Sequence, residues 1–435
     1  MKNFTKQLSA IMMASVILMS GCAKTSGKRD EERDLPVNPD DFTTSIDYED
    51  LEHCSYDENS LAEDYNAYSF ELMSQVLANE SAGTNVMVSP ASIMFALDMT
   101  SAGANGETLR QIVDIFSEGT DPLEQHAFAA EMMDRINDSE GVLFSCANAV
   151  WANQNYLSTG LNPDYEEYIQ EYFDAEINEE PFGTSTVNEI NDWVDEHTNG
   201  MIDRVLDQLE PECAAVLVNA IAFEGQWASQ YEDYEVSEMD FTNSEGQTNT
   251  VQMLCRTENF YFENAEATGF INYYDGGEYA FLVMLPTDEN ISANEFLMNF
   301  DGDDYNEFVN SRTDEYDVYT RLPEFEYDYD ASLNDVLEAL GVETAFDEEN
   351  ADFSGIAIPD NGYNLFISDV IHKTHIELDR NGTRAAAVTV VLMDVAGCPM
   401  PEETQIREVY CDRPFAYAIV DTETMNPIFL GTYNG

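Results

Sequence analysis

The chain has 435 residues, 44% of them hydrophobic, enough for a sizeable core and too many for a disordered polymer. Its 86 Asp and Glu against 17 Lys and Arg give a formal net charge of −69, a field that repels nucleic acid and anionic lipid head groups. That charge reads as a solvated acidic surface, suited to a saline medium, or as a field that steers a basic partner.

Lys2 and Lys6 precede an apolar stretch, Leu8 to Met19, too short to span a bilayer as a helix and closed by small residues. That is the pattern of a secretory signal. The ending "LMSGC" resembles the bacterial lipoprotein box, which implies a leader over residues 1–21, lipidation of Cys22 and a place at the cell surface. Ordinary cleavage, with a secreted product and Cys22 as a free thiol, is the other reading. Residues 22–56 read as a polar, acidic tether. No Pro, Gly or Ser-rich linker interrupts the chain beyond it, so 57–435 reads as one domain. Six further cysteines, Cys54, Cys146, Cys213, Cys255, Cys398 and Cys411, are spaced too widely and irregularly for a zinc site and are expected as buried or free thiols.

The stretch "SLAEDYNAYSFELMSQVLANE" has helical apolar spacing behind a Ser60 cap. Next, "SPASIMFALDMTSAGANGETLRQIVDIF" gives a Ser-Pro helix start, an apolar helix, a glycine break and a second helix. Strand-like runs come after these: "VLFSCANAVWA", "CAAVLVNAIAFEGQW", "YAFLVMLP", "VYTRLPEFEY" and "NLFISDVIHKTHIEL". The run Gly382 to Cys398, uncharged between Arg384 and Asp394 and free of proline, also has strand character, yet it ends in the loop-like "GCPMPEE". "DTETMN" between two apolar runs closes the chain with a hairpin. Helices first and hairpins later make an α+β domain.

Nothing demands an enzyme. His53 falls in the tether, His126 and His197 sit on helix-like surfaces, and His372 and His375, three apart on a strand, point to opposite faces and so share no metal. Nucleophile-elbow, phosphate-loop, zincin and dinucleotide motifs are all missing. No cofactor is expected.

From "NVMVSPASIMFALDMTSAGANGETLRQI" onward the chain resembles the serpin family. "INDWVDEHTNGMIDRVL", "LVNAIAFEGQW", "LPEFEYDYDASLNDVLEALGVETAFDEENADFSGI", "ISDVIHKTHIELDRNGTRAAAVT" and "DRPFAYAIVDTETMNPIFLGTYNG" continue the likeness in order over about residues 60–435. The resemblance implies three β-sheets, a shell of eight to nine helices and an exposed reactive loop at about 380–404. It also implies suicide inhibition of serine proteases. The protease attacks a bait bond in the loop, and the freed hinge inserts into the large sheet, dragging the acylated protease with it. A non-inhibitory relative used for binding or structure is the alternative, and a hydrolase a weaker one.

An inserting strand buries alternate side chains. From the hinge Gly382, one set is Thr383, Ala385, Ala387, Thr389, Val391 and Met393, all uncharged; both charges, Arg384 and Asp394, fall on the other. The family's spacing puts the bait bond at Ala396–Gly397, with Gly397–Cys398 as runner-up, which suits elastase-like or subtilisin-like proteases. Arg380 and Arg384 stand where many inhibitory relatives carry Glu. The resemblance further assigns Ser89, Ser92, Asn219 and His372 to the "shutter" beneath the opening sheet, and Trp227 to the "breach" at its top. Pro122 to Asp134 lacks the basic face with which some relatives bind heparin, so none is expected here, and the chain is expected as a monomer.

Overall fold

The structure, a computed structural model, describes residues 11–20, 46, 51, 54–383 apart from 199, 201, 203, 211, 361 and 363, and 405–435. In chain order its elements begin with β1 (Ile11–Ser20), α1 (Glu58–Ala78), β2 (Val86–Val88), α2 (Pro90–Ser101), α3 (Gly106–Asp114), α4 (Pro122–Asn137) and β3 (Val142–Asn153). There follow α5 (Pro163–Tyr172), β4 (Ala175–Glu180), α6 (Thr186–His197), β5 (Cys213–Gln226), β6 (Val236–Thr242), β7 (Thr248–Glu258), β8 (Tyr261–Glu263), β9 (Ala267–Tyr273) and β10 (Tyr279–Pro286). The last third holds α7 (Ala293–Leu297), α8 (Gly302–Asn310), β11 (Tyr316–Pro323), β12 (Phe325–Ser332), α9 (Asn334–Ala339), β13 (Phe366–Asp379), β14 (Gly382–Thr383), β15 (Gln405–Tyr410), β16 (Phe415–Asp421) and β17 (Pro427–Tyr433).

The strands form three sheets of seven, six and four strands. In the largest, β4, β3 and β5 lie on one side and β13 and β12 on the other; β1 and the short β14 fill the position between β5 and β13, antiparallel to both. The six-stranded sheet runs β2-β17-β16-β10-β9-β8 and contains the C-terminal hairpin read from "DTETMN". The third runs β15-β11-β7-β6. With nine α-helices among the described residues, this is the α+β architecture expected from the sequence.

Alternation in β5 shows how the large sheet is held. Leu217, Ile221 and Phe223 enter the main core, while Val216, Val218 and Ala220 enter a second apolar cluster with Trp151 of β3 and Ile190 and Val194 of α6. A strand covered on both faces reads as a continuous apolar run, which is why "AAVLVNAIAF" has no polar face.

The expected Ser60 cap and the surface position of His126 meet a different structure, and parts of the segments read as leader and tether pack into the fold. Ile11–Ser20, read as part of a leader, is a strand at the centre of the large sheet, because an apolar run of that length satisfies a doubly covered strand as well as a signal sequence. Ile46 and Leu51, within the tether, are buried against the main core. The first helix is capped by Asp57, whose side chain accepts from the Ser60 amide, so Ser60 lies inside the helix. His126 is fully buried, its ring nitrogens 2.7 Å from Ser101 Oγ and 2.8 Å from Tyr168 Oη. His197 is half-buried, stacked on Trp193.

Candidate functional site in the seven-stranded sheet

The hinge begins where β13 ends. Asp379 folds the chain back on itself: its Oδ1 accepts from the amides of Asn381 at 2.6 Å and Gly382 at 3.2 Å, and its Oδ2 accepts from Asn381 Nδ2 at 2.8 Å. β14 then re-enters the sheet, Thr383 opposite both Leu378 of β13 and Gly225 of β5. Only glycine fits at 382, where φ is +152° and a Cβ would lie 2.1 Å from the Gly225 carbonyl oxygen. Thr383 is buried, with Oγ1 2.6 Å from Tyr274 Oη, and Tyr274 stacks on Trp227 at 4.8 Å. The Trp227 indole donates to the Asp379 carbonyl and its amide donates to that of Asn381, both at 2.9 Å. Trp227 therefore touches the point where the returning strand enters. Arg380 lies beside Asp233 (2.9 Å) and Glu324 (3.6 Å), so its departure from glutamate is matched by acids on neighbouring segments.

Lower in the sheet, Ser89, Ser92, Asn219 and His372 are brought together, all fully buried. The Ser89 amide can only donate, and it points at His372 Nε2 at 3.2 Å, so the neutral ring carries its proton on Nδ1. Nδ1 then donates to Ser15 Oγ at 2.8 Å. Ser92 donates to Asn219 Oδ1, leaving its oxygen to accept from Ser15 at 3.0 Å. Asn219 Nδ2 donates to Asn148 Oδ1 at 2.8 Å, and Asn148 Nδ2 to the Phe173 carbonyl at 2.6 Å. One relay thus crosses β13, β1, α2, β5 and β3, with every hydroxyl proton directed one way. Ser89, which caps α2 by accepting from the Ser92 amide, donates to the Ile428 carbonyl at 2.8 Å. Burial lowers the His372 pKa to about 3, and a second ring proton would also face the Ser89 N–H.

Sequence reasoning missed Ser15, Asn148 and Tyr274. An asparagine inside the apolar run "CANAVWA" was a signal for Asn148; Ser15 was hidden by the leader reading, and Tyr274 carried none. His375 lies half-buried at the sheet surface, where it, Glu326 and Glu377 bring ligand atoms within 4.8 Å of one another. The loop positions Ala385, Ala387, Thr389, Val391 and Met393, the bait residues Ala396, Gly397 and Cys398, and Cys22 lie outside the described residues.

This arrangement can accept a strand: two long antiparallel neighbours, a hinge already turned between them, and a buried polar relay that takes a hydroxyl from the strand in the middle. The family model for serpins, described as serine protease inhibitors, matches residues 63–435. An uncharacterised serpin-like protein of Methanosarcina mazei is 30% identical over 98% of this chain and 96% of its own length, and one of Thermococcus kodakarensis is 30% identical over 97% of each. Among solved structures, the thermophilic serpin tengpin in its native state superposes with a TM-score of 0.78 at 35% identity, covering 88% of this chain and 95% of that one. Thyroxine-binding globulin complexed with thyroxine shares the fold at 23% identity and a TM-score of 0.73, covering 86% of this chain and 99% of that one. By its sequence, its three sheets and these relatives, the chain belongs to the serpin family.

Proposed function

We propose that the protein is an irreversible suicide inhibitor of serine proteases with a small apolar primary pocket, elastase-like or subtilisin-like, and that its bait bond is Ala396–Gly397. The protease serine oxygen adds to the Ala396 carbonyl carbon; the bond to the Gly397 nitrogen breaks, and that nitrogen leaves with a proton relayed from the serine hydroxyl. Ala396 remains as an ester on the protease. The segment behind it, freed at one end, joins the large sheet before water cleaves the ester. The observation that carries this reading is β14, which already lies between β5 and β13 in the direction an inserting loop must take. The uncharged set Thr383, Ala385, Ala387, Thr389, Val391 and Met393 continues from it, so insertion buries no charge on that face. Main-chain hydrogen bonds to two neighbours and newly buried side chains supply the driving force.

The rest of the reading is a monomer lipidated at Cys22, held at the outer face of a bacterial cell, whose acidic surface favours basic proteases. The test incubates the exported protein with elastase-like, subtilisin-like and trypsin-like proteases, then applies denaturing electrophoresis and mass measurement of the released peptide. A detergent-stable one-to-one adduct with the first two classes, and a released fragment that begins at Gly397, is the expected result. Clean cleavage by every protease with no adduct sinks the proposal and leaves the non-inhibitory alternative.

A further inference from the structure

We propose that Glu326, His375 and Glu377, on the outer face of the seven-stranded sheet, bind one divalent transition-metal ion of the zinc class, which clamps β12 to β13. The site does not depend on the inhibitory reading and takes no part in it.

Register and alternation build the site. β12 pairs with β13, antiparallel, and with no other strand among the described residues, so it forms an edge of the sheet. Phe325 and Tyr329 of β12 and Ile376 and Leu378 of β13 turn into the main core. Glu326, Asp328 and Asp330 therefore share the outer face with Lys373, His375 and Glu377. Three cross-strand pairs lie side by side there: Asp330 opposite Lys373, Asp328 opposite His375, and Glu326 opposite Glu377. The first two set an acid against a base, with Lys373 Nζ 3.7 Å from Asp330 Oδ1 and His375 Nδ1 2.6 Å from Asp328 Oδ1. The third sets two carboxylates directly opposite each other, which costs stability on a sheet. A cation held between them reverses the sign of that pair.

The donor set then selects the ion. A carboxylate can only accept, so the Asp328 contact places a proton on His375 Nδ1, and in the neutral ring Nε2 keeps its lone pair. A carboxylate holding one ring N–H while the other nitrogen ligates is the arrangement that orients histidine in metal sites. One ligand atom from each of Glu326, His375 and Glu377 lies within 4.8 Å of the other two, so a modest closure of the side chains encircles an ion with bonds of about 2.1 Å. Glu326 is exposed and the other two are half-buried, which leaves a path from solvent and room for a water ligand. An imidazole with two carboxylates suits zinc and its neighbours, whereas calcium takes about six to eight oxygens. An acidic surface alone attracts any divalent cation; the oriented imidazole is what discriminates.

The test is zinc binding by the full chain at physiological salt, in competition with a chromophoric chelator, with calcium as the second probe. One zinc per chain is expected, held at least ~100-fold tighter than calcium. His375→Gln is expected to weaken zinc by ~100-fold or more, and Asp328→Asn, which frees the ring without removing a ligand, by ~10–100-fold. Zinc is also expected to slow amide exchange in β12 by about tenfold in the native chain and to leave it unchanged in His375→Gln. Should His375→Gln lose protection in β16 and β17, the exposed Glu326→Gln is the second variant, with the same expected loss of zinc. Equal zinc affinity in the native chain and the ligand variant, displacement of zinc by an equal concentration of calcium, or no saturable zinc binding at all overturns the site. Unchanged affinity in Asp328→Asn overturns the positioning of His375 by Asp328.

Discussion

His372 ties the strand between β5 and β13 to the start of α2. Its Nε2 is committed to the Ser89 amide on the helix side, and its Nδ1–H points into the strand position, where any hydroxyl in the right register completes the relay. Protonation breaks this pattern. The folded pKa lies near 3 and the ordinary value is 6.5, so the unfolded chain takes up the proton first. The histidine's contribution is complete above about pH 6.5 and is lost as pH falls toward 3. In the full chain, the stability advantage of the native protein over His372→Gln is expected to shrink by about 2 kcal/mol between pH 7 and pH 5, measured by urea unfolding. A pH-independent difference would contradict the buried neutral ring. At this scale the sequence was legible in part. The family's pattern located Ser89, Ser92, Asn219 and His372, but the relay needs Ser15, whose neighbours carry the composition of a leader. His126 was misread because a single histidine in a helix of mixed polarity does not reveal which helices cover it.

At the scale of elements, the long strands β5 and β13 were legible from their apolar runs and the closing hairpin from its turn. The position between β5 and β13 was not. The apolar decapeptide Ile11–Ser20 lies there, and the uncharged stretch that follows Gly382 has the same composition, so neither run by itself states which one the sheet holds. What distinguishes them is the connection, since only the C-terminal stretch continues from Gly382. On the inhibitory reading, that glycine is where insertion starts. Gly382→Ala is expected to push β14 out of the sheet and cost about 1–3 kcal/mol in urea unfolding, because the new methyl meets the Gly225 carbonyl and the backbone adopts a strained φ. In protease assays the same variant is expected to turn over as a substrate with little adduct. Unchanged stability and unchanged adduct yield would show that the hinge does not need to enter there.

For the whole molecule, the described residues form three sheets and nine α-helices, and the largest sheet holds β1 between β5 and β13. Acids outnumber Lys and Arg by 86 to 17 in the sequence, and among the described residues only one lysine, Lys373, remains, itself 3.7 Å from Asp330. The fold was legible because family motifs recur along most of its length; the occupant of the central strand position was not, because two uncharged runs share its composition. Inhibition stands or falls on whether a cut loop becomes that strand. The decisive quantity is the thermal unfolding midpoint of the processed chain before and after cleavage at Ala396–Gly397. Burial of Val390, Val391, Leu392 and Met393 is worth roughly 5 kcal/mol or more, so the midpoint is expected to rise by about 10 °C or more. An unchanged or lowered midpoint after complete cleavage would contradict loop insertion.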